Sequence, residues 1–181
     1  MKFYELYLEG AYIIEPNMLS DKRGEFGRIY CKQEMHKIYF PKEIVQINHS
    51  INKKVGSIRG MHYQVPPKCE SKIVKCMKGS IYDVIVDIRK DSNTFLKWHG
   101  IKLSKTNKKQ LYIPEGFAHG FQVLESNTEL IYFHYEYYSP ECERALKFDD
   151  PVLGIKWPLK SNIVSQRDLN HPYIDDSYRG I

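Results

Sequence analysis

Short runs of strand-forming residues, each stopped by Gly, Pro, Asn or Asp, recur along this chain and leave little room for helices. AYII (11–14), IVQINHSI (44–51), KIVKCM (72–77), SIYDVIVDI (80–88), QLYI (110–113) and ELIYFHYEYY (129–138) all read as strands. Residues 31–37 have room for a turn or two of helix, and little else repeats every 3.6 residues. Many short strands without helices between them favour an antiparallel sandwich or barrel. The chain has no internal repeat, low-complexity tract or linker, and its 181 residues suit one domain with a sizeable core, expected over 1–181.

Composition narrows the function classes. The net charge of +5 comes from 27 basic and 22 acidic residues, and the basic ones are scattered rather than gathered into a nucleic-acid arm. A mild positive excess suits an anionic small molecule. Cys31, Cys69, Cys76 and Cys142 show neither CxxC spacing nor a dense framework, which fits reduced thiols in a cytoplasm. No segment has the apolar length of a membrane span or the pattern of an export signal, so a cytoplasmic protein without a membrane or nucleic-acid partner is expected.

Strand alternation sorts the polar residues by face. In SIRGMHYQ (57–64), Ile58, His62 and Gln64 share one face, and Arg59, Met61 and Tyr63 the other. Leu130, Tyr132, His134 and Glu136 share a face, as do Lys72, Val74 and Cys76. If these faces line one interior, a His, a Tyr and a Lys converge beside apolar walls, as in a ligand pocket. PEGFAHGF (114–121) reads as a tight turn holding His119 at a cavity mouth, and DKRGEF (21–26) as an exposed turn presenting Arg23 to an anion. Singly, each residue also has an ordinary structural role open to it.

Taken together, the segments resemble the dTDP-4-dehydrorhamnose 3,5-epimerase family. DKRGEF (21–26), QINHS (46–50), IRGMHYQ (58–64), KIVKCMKGSIYDVIVDIRKDSNTF (72–95), LYIPEGFAHGF (111–121), YYSPECER (137–144), DDPVLGIKWP (149–158) and VSQRD (164–168) occur in family order. The resemblance implies an all-β, cupin-type jelly roll, a homodimer whose N-terminal strand and turn reach the partner's site, and a nucleotide-sugar substrate. It implies His62 as proton-abstracting base, Asp168 as its orienting carboxylate, Tyr132 as acid and Lys72 as the cation beside the developing enolate. Substrate contacts would fall to Arg23, Gln46, Asn48, Arg59, His119 and Glu143, with Phe26 and Tyr138 near the nucleotide. The implied pathway is deoxysugar and surface-polysaccharide biosynthesis.

The implied reaction explains these residue types. A proton on a carbon beside a ketone is acidified because the resulting carbanion delocalises onto the carbonyl oxygen. A neutral imidazole suits its removal near neutral pH, and a carboxylate fixes that ring's tautomer. Inversion needs a second acid on the opposite face of the sugar, and a cation stabilises the enolate. The scheme requires neither metal nor redox cofactor. Two features depart from the family: Phe133, His134 and Tyr135 follow the tyrosine where a lysine and threonines are common, and Arg28 stands where a glutamate is common. They leave GDP- or CDP-linked sugars, and inversion at a single carbon, open. A metal-dependent cupin enzyme, a ketone-shifting isomerase and a non-catalytic sugar-binding module are the other readings. The first commonly uses a His-x-His pair, whereas Tyr63 and Gln64 follow His62 here.

Overall fold

The computed structural model describes residues 1–38, 42–160 and 163–181. Two antiparallel sheets face each other. The first runs in the order β1 (Lys2–Glu5), β2 (Tyr12–Glu15), β10 (Gln110–Ile113), β7 (Lys72–Lys78), β12 (Thr128–His134) and β5 (Gln46–Asn52). The second runs β13 (Glu143–Ala145), β6 (Ile58–Gln64), β11 (Phe117–Val123), β8 (Ser80–Asp87) and β9 (Trp98–Ser104). A separate hairpin pairs β3 (Met18–Asp21) with β4 (Gly24–Gly27), and two one-turn α-helices, α1 (Lys32–Met35) and α2 (Gln166–Leu169), with a 3-10 turn over Pro140–Cys142, complete the elements among the described residues. This is the all-β, jelly-roll architecture expected of a cupin-type chain.

Between the sheets, Val74, Cys76, Leu111, Ile113 and Leu130 meet Ile81, Ile85, Leu103, Phe117, Phe121 and Val123, all buried. The outer face of the second sheet is covered as well. Val84, Val86 and Ala118 pack with Leu146, Leu153 and Ile155 of the C-terminal segment. Burial on both faces explains why β8 reads as an almost continuous apolar run instead of a clean alternation. On the first sheet, Ile73, Tyr112 and Phe133 pack with Ile14, Met35 and Tyr135.

Two local readings need correction. PEGFAHGF does not form a turn around His119: its last five residues open β11, every residue of which is buried, and His119 stands in register with His62 of β6 and Ile85 of β8. Only the Pro114–Gly116 portion turns, with Gly116 at φ +82°. The expected run 129–138 keeps strand geometry only to His134, so Glu136 leaves the inward face.

The strict alternation of β6 is also broken. His119 pairs with His62 and Phe121 with Arg59, so two steps along β11 match three along β6. That β-bulge turns Arg59 toward the same interior as His62. Gly60 makes it possible. Its φ is +111°, and a Cβ there would stand 2.5 Å from the His119 carbonyl oxygen and 2.6 Å from the Gly120 Cα. Gly60→Ala should therefore cost about 2–4 kcal/mol of stability, read by urea denaturation. A variant within about 0.5 kcal/mol of the parent would show that the backbone relaxes there freely.

Candidate active site

One end of the sandwich interior opens into a cavity of about 840 Å³. On β7 and β12 the inward face changes from apolar to polar on reaching it. On β7, Cys76 and Val74 belong to the core and Lys72 to the cavity; on β12, Leu130 belongs to the core, and Tyr132 and His134 line the cavity. Lys72, Tyr132, His134 and Asn48 thus arrive from the first sheet, while His62, Arg59 and His119 arrive from the second.

His62 Nε2 lies 2.7 Å from Asp168 Oδ1. A carboxylate accepts, so Nε2 carries the proton and Nδ1 keeps the lone pair. Asp168 is 3% exposed, and its position is built by the local chain. Backbone bonding of Ile58 N to Ile163 O lays the C-terminal segment along β6, and Ser165 Oγ caps α2 by accepting from Asp168 N at 3.0 Å. Burial works against the Asp168 charge, but the His62 hydrogen bond and charge outweigh it and hold the carboxyl below its ordinary range.

Across the cavity, burial and the charge of Asp83 push the Tyr132 phenol far above its ordinary pKa, so it stays protonated. Its ring stands edge-on to His119, with centroids 6.4 Å apart, and stacks against His134 at 5.9 Å. His119 is itself bonded to the fully buried Asp83, Nε2 to Oδ1 at 2.7 Å. Lys72 Nζ donates to Glu70 Oε1 at 2.6 Å, and the other Glu70 oxygen meets His134 Nδ1 at 2.9 Å. Burial disfavours the Glu70 carboxylate, yet Lys72 and His134 more than offset it and hold its pKa well below the usual range.

Of the residues singled out from sequence, His62, Tyr132, Asp168, Lys72, Asn48, Arg59 and His119 line this one cavity. Gln46, Tyr138 and Glu143 form a hydrogen-bonded rim beside it: Gln46 Nε2 donates to Asn48, Tyr138 N to Gln46, and Tyr138 Oη to Glu143. Glu143 also pairs with Arg167, a lining residue that sequence reasoning missed. Arg23 and Phe26 are not brought in by their own chain. They lie on the β3–β4 hairpin in a separate groove, Arg23 paired with Asp21 and Phe26 76% exposed. Arg28 is likewise occupied, by Glu34 at 2.8 Å.

Glu70, Asp83 and His171 were also missed. Asp83 did carry a signal, since it interrupts the inward phase of an apolar strand between Ile81 and Ile85. His62, Asp168 and His171 offer donor atoms within 4.8 Å of one another, the one such trio among the described residues. His49, His119 and His134 do not join it: each pairs with its own acid, Glu129, Asp83 and Glu70 respectively.

Fold and cavity together define a cupin-like jelly roll with an imidazole–carboxylate pair and a protonated phenol on facing sheets. Residues 5–176 match the family model for dTDP-4-dehydrorhamnose 3,5-epimerase. The chain is 42% identical to the Shigella flexneri enzyme of that name, over 98% of this chain and 99% of that one. A Bacillus anthracis dTDP-4-dehydrorhamnose 3,5-epimerase, solved with TDP and PPi bound, superposes with a TM-score of 0.92 at 40% identity, covering 96% and 99% of the two chains. A Legionella pneumophila 3,5-epimerase in complex with dTDP-4-keto-L-rhamnose gives 0.90 at 36% identity, covering 95% and 92%. The chain belongs to the dTDP-4-dehydrorhamnose 3,5-epimerase family, and so to the isomerases.

The Glu70 pair sets a sign for acid stability. Its folded pKa is depressed, so its ionised form stabilises the fold above the unfolded value of 4.5, and that contribution is lost as pH falls below it. Glu70→Gln should cost on the order of 3 kcal/mol at pH 7 and give a flatter decline of melting temperature below pH 4.5 than the parent shows. Parallel declines in the two proteins would show that Glu70 is not held as described.

Proposed function

We propose that this protein inverts carbons beside the 4-keto group of a nucleotide-linked 6-deoxy sugar, dTDP-4-dehydro-6-deoxy-D-glucose giving dTDP-4-dehydro-L-rhamnose. The observation that carries the reading is the opposition of His62, with its Asp168 partner, and the protonated Tyr132 across one cavity. The ligands of the Bacillus and Legionella relatives support a dTDP-linked substrate.

In this scheme His62 Nδ1 takes the proton from the carbon next to the ketone. The C–H electron pair becomes the C=C bond of an enolate, and the carbonyl oxygen takes the charge. Lys72, buried at the cavity wall, stabilises that oxygen. Tyr132 returns a proton from the other face, and the imidazolium and tyrosinate that remain reset by exchange with water. Asp168 stabilises the imidazolium and keeps the ring's orientation. Asn48, Arg59 and His119 contact the substrate inside the cavity, with Gln46, Tyr138 and Glu143 at its rim.

Arg23 and Phe26 serve a neighbouring copy in a homodimer. Leu19 and Phe26, 71% and 76% exposed on the hairpin, support that arrangement because apolar side chains so placed seek cover. Four free cysteines support a reducing cytoplasm. Among the described residues, no helix is long and apolar enough to cross a membrane.

The test is incubation in D2O with dTDP-, GDP- and CDP-linked 4-keto-6-deoxy sugars, read by NMR. The dTDP sugar should gain deuterium at C3 and C5 with inversion at both. His62→Asn should lower the exchange rate by on the order of 10²–10⁴-fold with melting unchanged to within a few degrees. Label at one carbon would narrow the reading to a mono-epimerase. A folded His62→Asn variant at full rate would remove the base assignment.

A further inference from the structure

The scheme above uses Lys72 but leaves unexplained what keeps its ammonium in place. The answer lies in two residues that the reaction does not otherwise employ. We propose that Glu70 and His134 are positioning residues for Lys72, fixing its ammonium toward the sugar's carbonyl oxygen through a bridge that ends on Asn48. The inference rests on the epimerase reading and goes beyond it.

A lysine stem has four rotatable bonds, and a buried ammonium without a partner is costly. Lys72 is held by one strong bond, Nζ to Glu70 Oε1 at 2.6 Å, with the lysine and glutamate side chains 8% and 12% exposed. A carboxylate on a flexible stem would be a poor anchor by itself. Here its second oxygen is tied to His134 Nδ1 at 2.9 Å, and His134 Nε2 faces Asn48 Nδ2 at 3.2 Å. The Asn48 amide nitrogen can only donate, so Nε2 accepts and Nδ1 carries the proton to Glu70. Gln46 Nε2 donates in turn to Asn48 Oδ1 at 3.1 Å.

The donors therefore run in one direction from the rim of the cavity to Glu70, whose carboxylate accepts from His134 on one oxygen and from Lys72 on the other. The same His134 ring stacks on Tyr132, with planes 22° apart, so it braces the acid as well as the carboxylate. His134 lies in the run where the chain departs from the common family pattern, so this role is not one that the resemblance supplies. Two of the three Lys72 N–H bonds remain for the substrate, and their direction is set before it arrives. A displacement of about 1 Å at such a group is worth roughly a hundredfold in rate.

The experiment compares parent, His134→Phe, His134→Asn and His134→Gln in steady-state kinetics and in deuterium exchange with the dTDP-linked 4-keto-6-deoxy sugar, with melting temperature as control. Asparagine places its amide N–H where Nδ1 stands and still donates to Glu70; phenylalanine donates nothing, and glutamine places its amide near Nε2. The expected result is a kcat lowered roughly ten- to a hundredfold in His134→Phe and His134→Gln with KM within about twofold, and recovered in His134→Asn to within about threefold of the parent. If His134→Phe does not fold, the Gln–Asn comparison decides. Equal kcat in His134→Asn and His134→Gln, or a His134→Phe variant at parental kcat, overturns the positioning role while the parent's exchange leaves the epimerase reading standing. A parent that exchanges no proton overturns both.

Discussion

Buried charge must be paired, and the cavity of this protein is built around that requirement. Three carboxylates serve four basic side chains of its walls: Asp168 pairs with His62, Asp83 with His119, and Glu70 with both Lys72 and His134. None of the three acids is exposed, and Asp83 is completely enclosed. Isolated, any one of these charges would be expelled or neutralised. Paired, they fix ring tautomers and side-chain directions before a ligand enters. The sandwich supplies the dry walls that make such pairs short, and the pairs in turn allow polar groups to occupy one end of its interior.

Proton transfer from two faces of a ring needs two rigid surfaces, and the two sheets provide them. His62 and Tyr132 stand on different sheets, so their separation is set by sheet packing and not by a loop. The bulge at Gly60 brings Arg59 to the same cavity as His62, which perfect alternation forbids. The C-terminal segment adds Asp168 by docking beside β6 through backbone bonds and a capped turn. Three distant stretches of chain thus meet at one imidazole.

Much of the fold was legible because strand alternation is a local property. The phases of Lys72–Val74–Cys76 and Leu130–Tyr132–His134 follow from period-two geometry and hold in the structure. Arg59 escaped that logic because one extra residue in a bulge reverses the phase, and no alternation rule locates a bulge. His119 was placed in a turn because Pro114, Gly116 and Gly120 dominate its surroundings; the structure buries it on a strand, where Gly120 admits close approach of β6. Glu70 lies just outside β7 and draws its meaning only from Lys72 and His134, a relation between two strands that no single run reveals. Arg23 and Phe26 lie on a hairpin that their own chain leaves outside the cavity, so one chain's geometry does not bring them to it.

The central claim is that two groups, one on each sheet, handle the proton on opposite faces of the sugar. The most direct measurement is the fate of the dTDP-linked 4-keto-6-deoxy sugar with Tyr132→Phe in D2O, following deuterium content and configuration in the same sample. Removal of the phenol from the facing sheet should leave abstraction by His62 intact, so that recovered sugar gains label at near-parental rate with its configuration retained. Inversion proceeding at the parental rate in that variant would contradict the account, because the second proton would then come from somewhere other than Tyr132.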